Sequence, residues 1–187
     1  MDSDGYLSQL ADIFNGITVN TPSISAIIAI VLAGVLLLAS GFASASEIAF
    51  FSLSPSDRND IDERNHPSDD KISALLGDTE RLLATILITN NFVNVTIIML
   101  CNFFFMNVFV FHSPLAEFLI LTVILTFLLL LFGEIMPKIY SAQKTLTFCR
   151  FSAPGIYFLE KVFRPIATVL VRSTTLLNKH FVKKSHN

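Results

Sequence analysis

Three apolar runs, each long enough to cross a bilayer, organise the chain, and its lysines and arginines are confined to two blocks at their ends. The runs cover Pro22 to about Leu53, Thr79 to Phe111, and Pro114 onward through Leu119–Phe132. All 13 basic residues fall between Arg58 and Arg81 or between Lys138 and Lys184. Basic residues in short loops stay on the cytoplasmic side. The N-terminus and the His112 turn are therefore expected outside, and the 54–78 interlude and the C-terminal segment inside. An odd number of spans satisfies this. With 52% hydrophobic residues and a mean hydropathy of +0.63, the reading is an all-α membrane protein.

The pattern divides the chain into parts. Residues 1–21 form a short extracytoplasmic segment, with a frayed helix around Leu7–Phe14. It carries acids (Asp2, Asp4, Asp12) but no basic start, so it is no cleaved signal peptide. Residues 22–141 hold the three spans, with a cytoplasmic interlude at 54–78 built of one or two short helices. Its acids (Asp57, Asp60, Asp62, Glu63, Asp69, Asp70) read as a solvated face. Residues 142–184 mix basic and apolar side chains, as amphipathic helices at the inner interface do, and are expected to break near Pro154 and Pro165. Cys101 and Cys149 form no disulfide framework.

The chemistry concentrates at Gly133-Glu134-Ile135-Met136-Pro137-Lys138. Proline has no N–H and clashes with the carbonyl four residues earlier, so Pro137 forces a kink or bulge costing about 3 kcal/mol and frees the Gly133 carbonyl. Glu134 adds a carboxylate at membrane depth, where an acid faces a partner, a cavity or an ion path. A carbonyl and a carboxylate side by side suit a hard cation. The plainer reading pairs Glu134 with Lys138 at i,i+4.

Two further clusters lie at matching depth. Ser40, Ser44 and Glu47 share one face of the first span, where Gly41 and Ala45 also permit close helix packing. Asn90 and Asn94 share a face of the second, as ion ligands or as interhelical hydrogen-bond partners. All three clusters fall in the inner half of the bilayer, so hydroxyls, amide oxygens, a carboxylate and a carbonyl converge on one pocket. His112 reads as a loop histidine. No H-E-x-x-H, G-x-S-x-G or cysteine–histidine pattern points to an enzyme.

Ala39–Ser44, Glu47–Ala49, Leu53-Ser54-Pro55-Ser56, Glu80–Thr85, Asn90–Asn94 and Gly133–Lys138, in that order, resemble the transmembrane domain of the CNNM/CorC magnesium transporters. The resemblance implies three transmembrane helices with a juxtamembrane helical belt, a homodimer in the bacterial inner membrane, and Mg²⁺ transport, with Na⁺ as the coupling ion proposed for several members. It assigns Ser40 and Ser44, Asn90 or Asn94, and Gly133 with Glu134 as ligands, and Pro137 as the helix breaker. It also implies CBS domains further along a longer chain, through which ATP would act, and no nucleic-acid partner. Thr79 stands where the family often has proline, and Thr89 where it often has glycine. The chain is also similar to the gliding-motility-associated branch, which leaves a non-transporting membrane scaffold or sensor as the alternative function.

Overall fold

The computed structural model describes residues 3–185; Met1, Asp2, His186 and Asn187 lie outside the described residues. An N-terminal helix, α1 (Ser3–Asn15), leads to a two-residue strand, β1 (Thr18–Val19). The first span is α2 (Ile24–Phe51), opened by Ser23, whose hydroxyl accepts from the Ala26 amide at 3.2 Å. Its buried face is built from Ala26, Ala29, Ala33, Ser40, Gly41, Ala43, Ser44, Ala45 and Ala49. Side chains this small bring backbones close, and α2 is the helix against which α5 and the later elements pack.

Two short helices follow, α3 (Pro55–Asp62) and α4 (Asp69–Leu76). Ser54 and Asp57 form a reciprocal capping box on α3. The second span, α5 (Thr79–Val108), is capped by Asp78, which accepts from the Arg81 amide at 3.1 Å. It ends at Val108 rather than running on to Phe111. Phe109–Val110 (β2) pairs antiparallel with β1, Thr18 opposite Val110 and Val19 opposite Phe109. This pair ties the N-terminal segment to the turn between the second and third spans, so both lie at one end of the bundle.

The third span is composite. α6 (Pro114–Leu128) passes into a π-helix (residues 129–135) and then α7 (Met136–Gln143). The Met136 amide reaches the Leu131 carbonyl, five residues back. The break expected at Pro137 is thus a π-bulge, a wider turn that absorbs the missing proline donor without a stop.

α8 (Thr145–Ser185) is one helix through Pro154 and Pro165, where breaks were expected. Both prolines sit at exposed positions, while Cys149, Ala153, Ile156 and Ala167 are buried. The carbonyls orphaned by the prolines therefore lie toward the outward side, and packing of the other face holds the helix together.

At this second end, Phe50, Ile61, Ile72, Leu75, Leu82, Cys149 and Ile156 form a core joining α2, α3, α4, α5 and α8. Asp69 departs from the solvated acidic face expected of the interlude. It is fully buried, and Arg150 of α8 clasps it with Nε at 2.9 Å and a second guanidinium nitrogen at 3.1 Å.

Candidate cation site

The site is built where α2, α5 and the π-helix meet. Ser40 is fully buried on α2. Its Oγ lies 2.6 Å from Asn94 Oδ1 and 3.0 Å from Asn90 Oδ1, the two amides sharing a face of α5. A hydroxyl carries one hydrogen and donates one strong bond. Three oxygens therefore meet with a single hydroxyl proton among them, so one amide oxygen is left open for another donor or for a cation.

Gly133 approaches from the third side. A Cβ built there would stand 3.2 Å from Ser40 Oγ, so the π-helix backbone passes directly over the serine because residue 133 has no side chain. Ser44, one turn further along α2, is 1% exposed, and its Oγ has no hydrogen-bond partner. Serines buried in helices ordinarily return the hydroxyl to a carbonyl one turn back, as Ser46 does to Phe42 at 2.6 Å. An orphaned buried hydroxyl costs roughly 1–3 kcal/mol, so Ser44 marks a place that a ligand would relieve.

Glu134 is half-buried on the π-helix beside Gly133, and no polar contact joins it to the Ser40 cluster. Nor does Lys138 pair with it among the described residues. Lys138 Nζ turns to Glu47 of α2, 3.8 Å from Oε2. Pro137 packs on Gly41, where a Cβ would meet the proline Cγ at 3.0 Å and the Phe132 carbonyl at 3.4 Å. The glycine lets the bulge nest against α2.

Of the residues singled out from sequence, Ser40, Asn90, Asn94 and Gly133 stand together. Ser44 and Glu134 flank them, and Glu47, Lys138 and Pro137 form the surrounding frame. No group of three His, Cys, Asp or Glu side chains capable of holding a metal occurs among the described residues. The donors here are hydroxyl and amide oxygens, the neutral ligands of hard cations.

One contact had no clear signal in the sequence. Ser141 Oγ donates to the Ala45 carbonyl at 2.6 Å, fully buried, and fixes α7 to α2 just beyond the site.

A family model described as the cyclin M transmembrane N-terminal domain matches residues 28–187. The UPF0053 protein sll1254 of Synechocystis sp. is 26% identical over 140 residues, covering 75% of this chain and 39% of its own length. A UPF0053 protein of Haemophilus influenzae is 30% identical over 134 residues, covering 72% of this chain and 31% of its own length. The matched stretch thus spans 31–39% of the length of these curated relatives.

Proposed function

We propose a transport function for this chain, which belongs to the cyclin M (CNNM) transmembrane-domain family, a family linked in general to divalent-cation transport. It carries Mg²⁺ across the membrane by alternating access. The observation behind this reading is the crowding of Ser40, Asn90 and Asn94 oxygens around one hydroxyl proton, beside the orphaned Ser44 hydroxyl.

Mg²⁺ sheds water reluctantly and demands oxygen ligands at about 2.1 Å in near-octahedral array. Ser40, Ser44, Asn90 and Asn94 supply neutral oxygens, the Gly133 carbonyl another, and Glu134 the charge that offsets dehydration. The hydroxyl–amide bonds hold the pocket while no ion is present; on binding, the Ser40 hydroxyl keeps its hydrogen and turns it aside, so that its oxygen and the two amide oxygens face the ion. Glu134 swings in to complete the shell, since its half-buried position leaves it rotamer freedom. The π-helix supplies the moving part. A change in this bulge would redirect the carbonyls around Gly133 between two faces of the membrane.

The direction is export from the cytoplasm, with Na⁺ as a coupling ion, in the inner membrane of a bacterium. The orientation follows from the basic residues of the interlude and α8. The functional unit is a homodimer, and ATP-sensing CBS domains belong to the longer protein.

Calorimetric titration of the purified chain with Mg²⁺, with Ca²⁺ and Mn²⁺ as competitors, tests the reading. Saturable binding is expected, lost in Glu134→Gln and weakened at least tenfold in Ser44→Ala, about 1.4 kcal/mol or more. A folded parent that binds no cation would favour the scaffold role instead.

A further inference from the structure

We propose that the cavity between α5 and α6 is a water-filled vestibule joining the β1–β2 end of the bundle to the Ser40 cluster, with Glu117 holding a hydrated divalent cation at its mouth. This rests on the transport reading above. The cavity measures about 430 Å³. At about 30 Å³ per water it takes on the order of ten molecules, enough for a divalent cation with its first hydration shell.

Its polar groups are arranged along its length. Glu117 lies in the first turn of α6. It is the single formally charged residue between Arg81 and Glu134. Deeper in, Asn102, Thr122 and Thr126 line the walls. Threonines elsewhere in the spans return their hydroxyls to the carbonyl four residues back: Thr85 to Arg81, Thr89 to Thr85 and Thr96 to Phe92, each at 2.8 Å. Among the described residues Thr122 and Thr126 make no such bond, and the Asn102 amide has no partner. Polar groups left open at membrane depth face water or carry a large penalty, and all of these open onto one space.

The register aims that space at the site. Asn90, Asn94, Ile98, Asn102 and Met106 succeed one another at i,i+4 along α5, so the row bearing the two amides of the cluster continues into the cavity wall. On the third span Thr122, Thr126 and Leu129 lead to Gly133, four residues or about 6 Å beyond. Leu129 opens the π-helix and packs beside the buried Val93, Ile97 and Leu125. Leu129, partly buried, therefore stands between the vestibule and Gly133 as an apolar plug. Such a constriction passes ions only when it widens and wets. A shift in the π-helix that begins at Leu129 would move this plug and the Gly133 ligand together.

Thiol accessibility tests the inference without depending on flux. In Cys101→Ala/Cys149→Ala protein in lipid nanodiscs, single cysteines replace Thr122 or Thr126, which line the cavity, and Val123 or Phe127, which do not; all four positions are exposed on the single chain. A charged methanethiosulfonate reacts with thiolate, which forms in water and not in hydrocarbon. Thr126→Cys and Thr122→Cys are expected to label at least about tenfold faster than Val123→Cys and Phe127→Cys. Mg²⁺ should slow that labelling, and Glu117→Gln should remove the protection. Equally slow labelling at all positions would mean lipid fills the groove and would overturn the vestibule. Fast labelling that Mg²⁺ never slows would overturn the cation-holding role of Glu117. Mg²⁺ binding that requires Glu134, measured on the same protein, stands or falls separately.

Discussion

Lys138 Nζ stands 3.8 Å from Glu47 Oε2, so the lysine one turn beyond Glu134 engages a different helix and leaves Glu134 without a cationic partner among the described residues. The pair joins α7 to α2 at the rim of the site, with both side chains about a third exposed. Solvent screens such a pair, and its worth is at most about 1 kcal/mol. Lys138→Gln is therefore expected to lower the unfolding free energy by no more than about 1 kcal/mol and to leave Mg²⁺ affinity within about threefold of the parent. Thermal unfolding in detergent and the calorimetric titration check both. A large gain in affinity would mean that Lys138 competes with the ion for Glu134.

The Asp69–Arg150 clasp behaves differently because Asp69 is fully buried. Removing one partner strands a charge in the core formed by α4 and α8. Arg150→Ala or Asp69→Ala is expected to cost about 3–5 kcal/mol, while the joint replacement Asp69→Leu/Arg150→Met recovers most of it. Denaturant unfolding of the single and double variants measures the difference. If the double variant were as unstable as either single, the clasp would be supplying more than charge compensation.

The spans and their relative depths are legible in the sequence because hydropathy decides them. Long apolar runs allow only helices in hydrocarbon, and the antiparallel order of the spans sets Ser40, Asn90 and Gly133 at one level. Features are hidden where tertiary packing overrides a local rule. Pro154 and Pro165 stay inside α8 because the opposite face is buried, which no propensity records. Asp69 looked like its solvated neighbours, and only the fold brings Arg150, some eighty positions later, onto it. The β1–β2 pair is too short to carry an alternating pattern. Glu134 and Lys138 have the spacing of a helical ion pair, but Glu134 lies in the π-bulge and Lys138 beyond it in α7, where Glu47 of α2 takes the lysine.

Two glycines of α2 separate packing from helix propensity. A Cβ at Gly41 would meet Pro137 Cγ at 3.0 Å and the Phe132 carbonyl at 3.4 Å, whereas at Gly34 nothing lies within 4 Å. Gly41→Ala forces α2 away from the bulge and is expected to destabilise by about 1–3 kcal/mol. Gly34→Ala, gaining helix propensity without a clash, is expected to be neutral or stabilising by up to about 1 kcal/mol. Parallel melting curves decide it. Equal effects would place Gly41 outside the tight α2–bulge contact.

Glu160 of α8 gives the stability a pH dependence of definite sign. Its Oε2 is buried without a hydrogen-bond partner. Burial raises its pKa above the ordinary 4.5 and Asp78 adds to the rise, against the opposing pull of Arg81 and Arg164. The folded state thus holds this proton more tightly than the unfolded chain does. The stabilisation is complete below the unfolded value and is lost as pH rises through the folded one. At neutral pH the charged, desolvated carboxylate weighs against folding, so Glu160→Gln is expected to melt at a higher temperature than the parent. The gap should close as pH falls into the ordinary carboxylate range, where Glu160 is protonated in both states. Melting temperatures of the two proteins from about pH 8 down to about pH 4 test this. A gap of the opposite sign, with the parent more stable at neutral pH, would mean that the Arg81 and Arg164 guanidinium groups outweigh the burial.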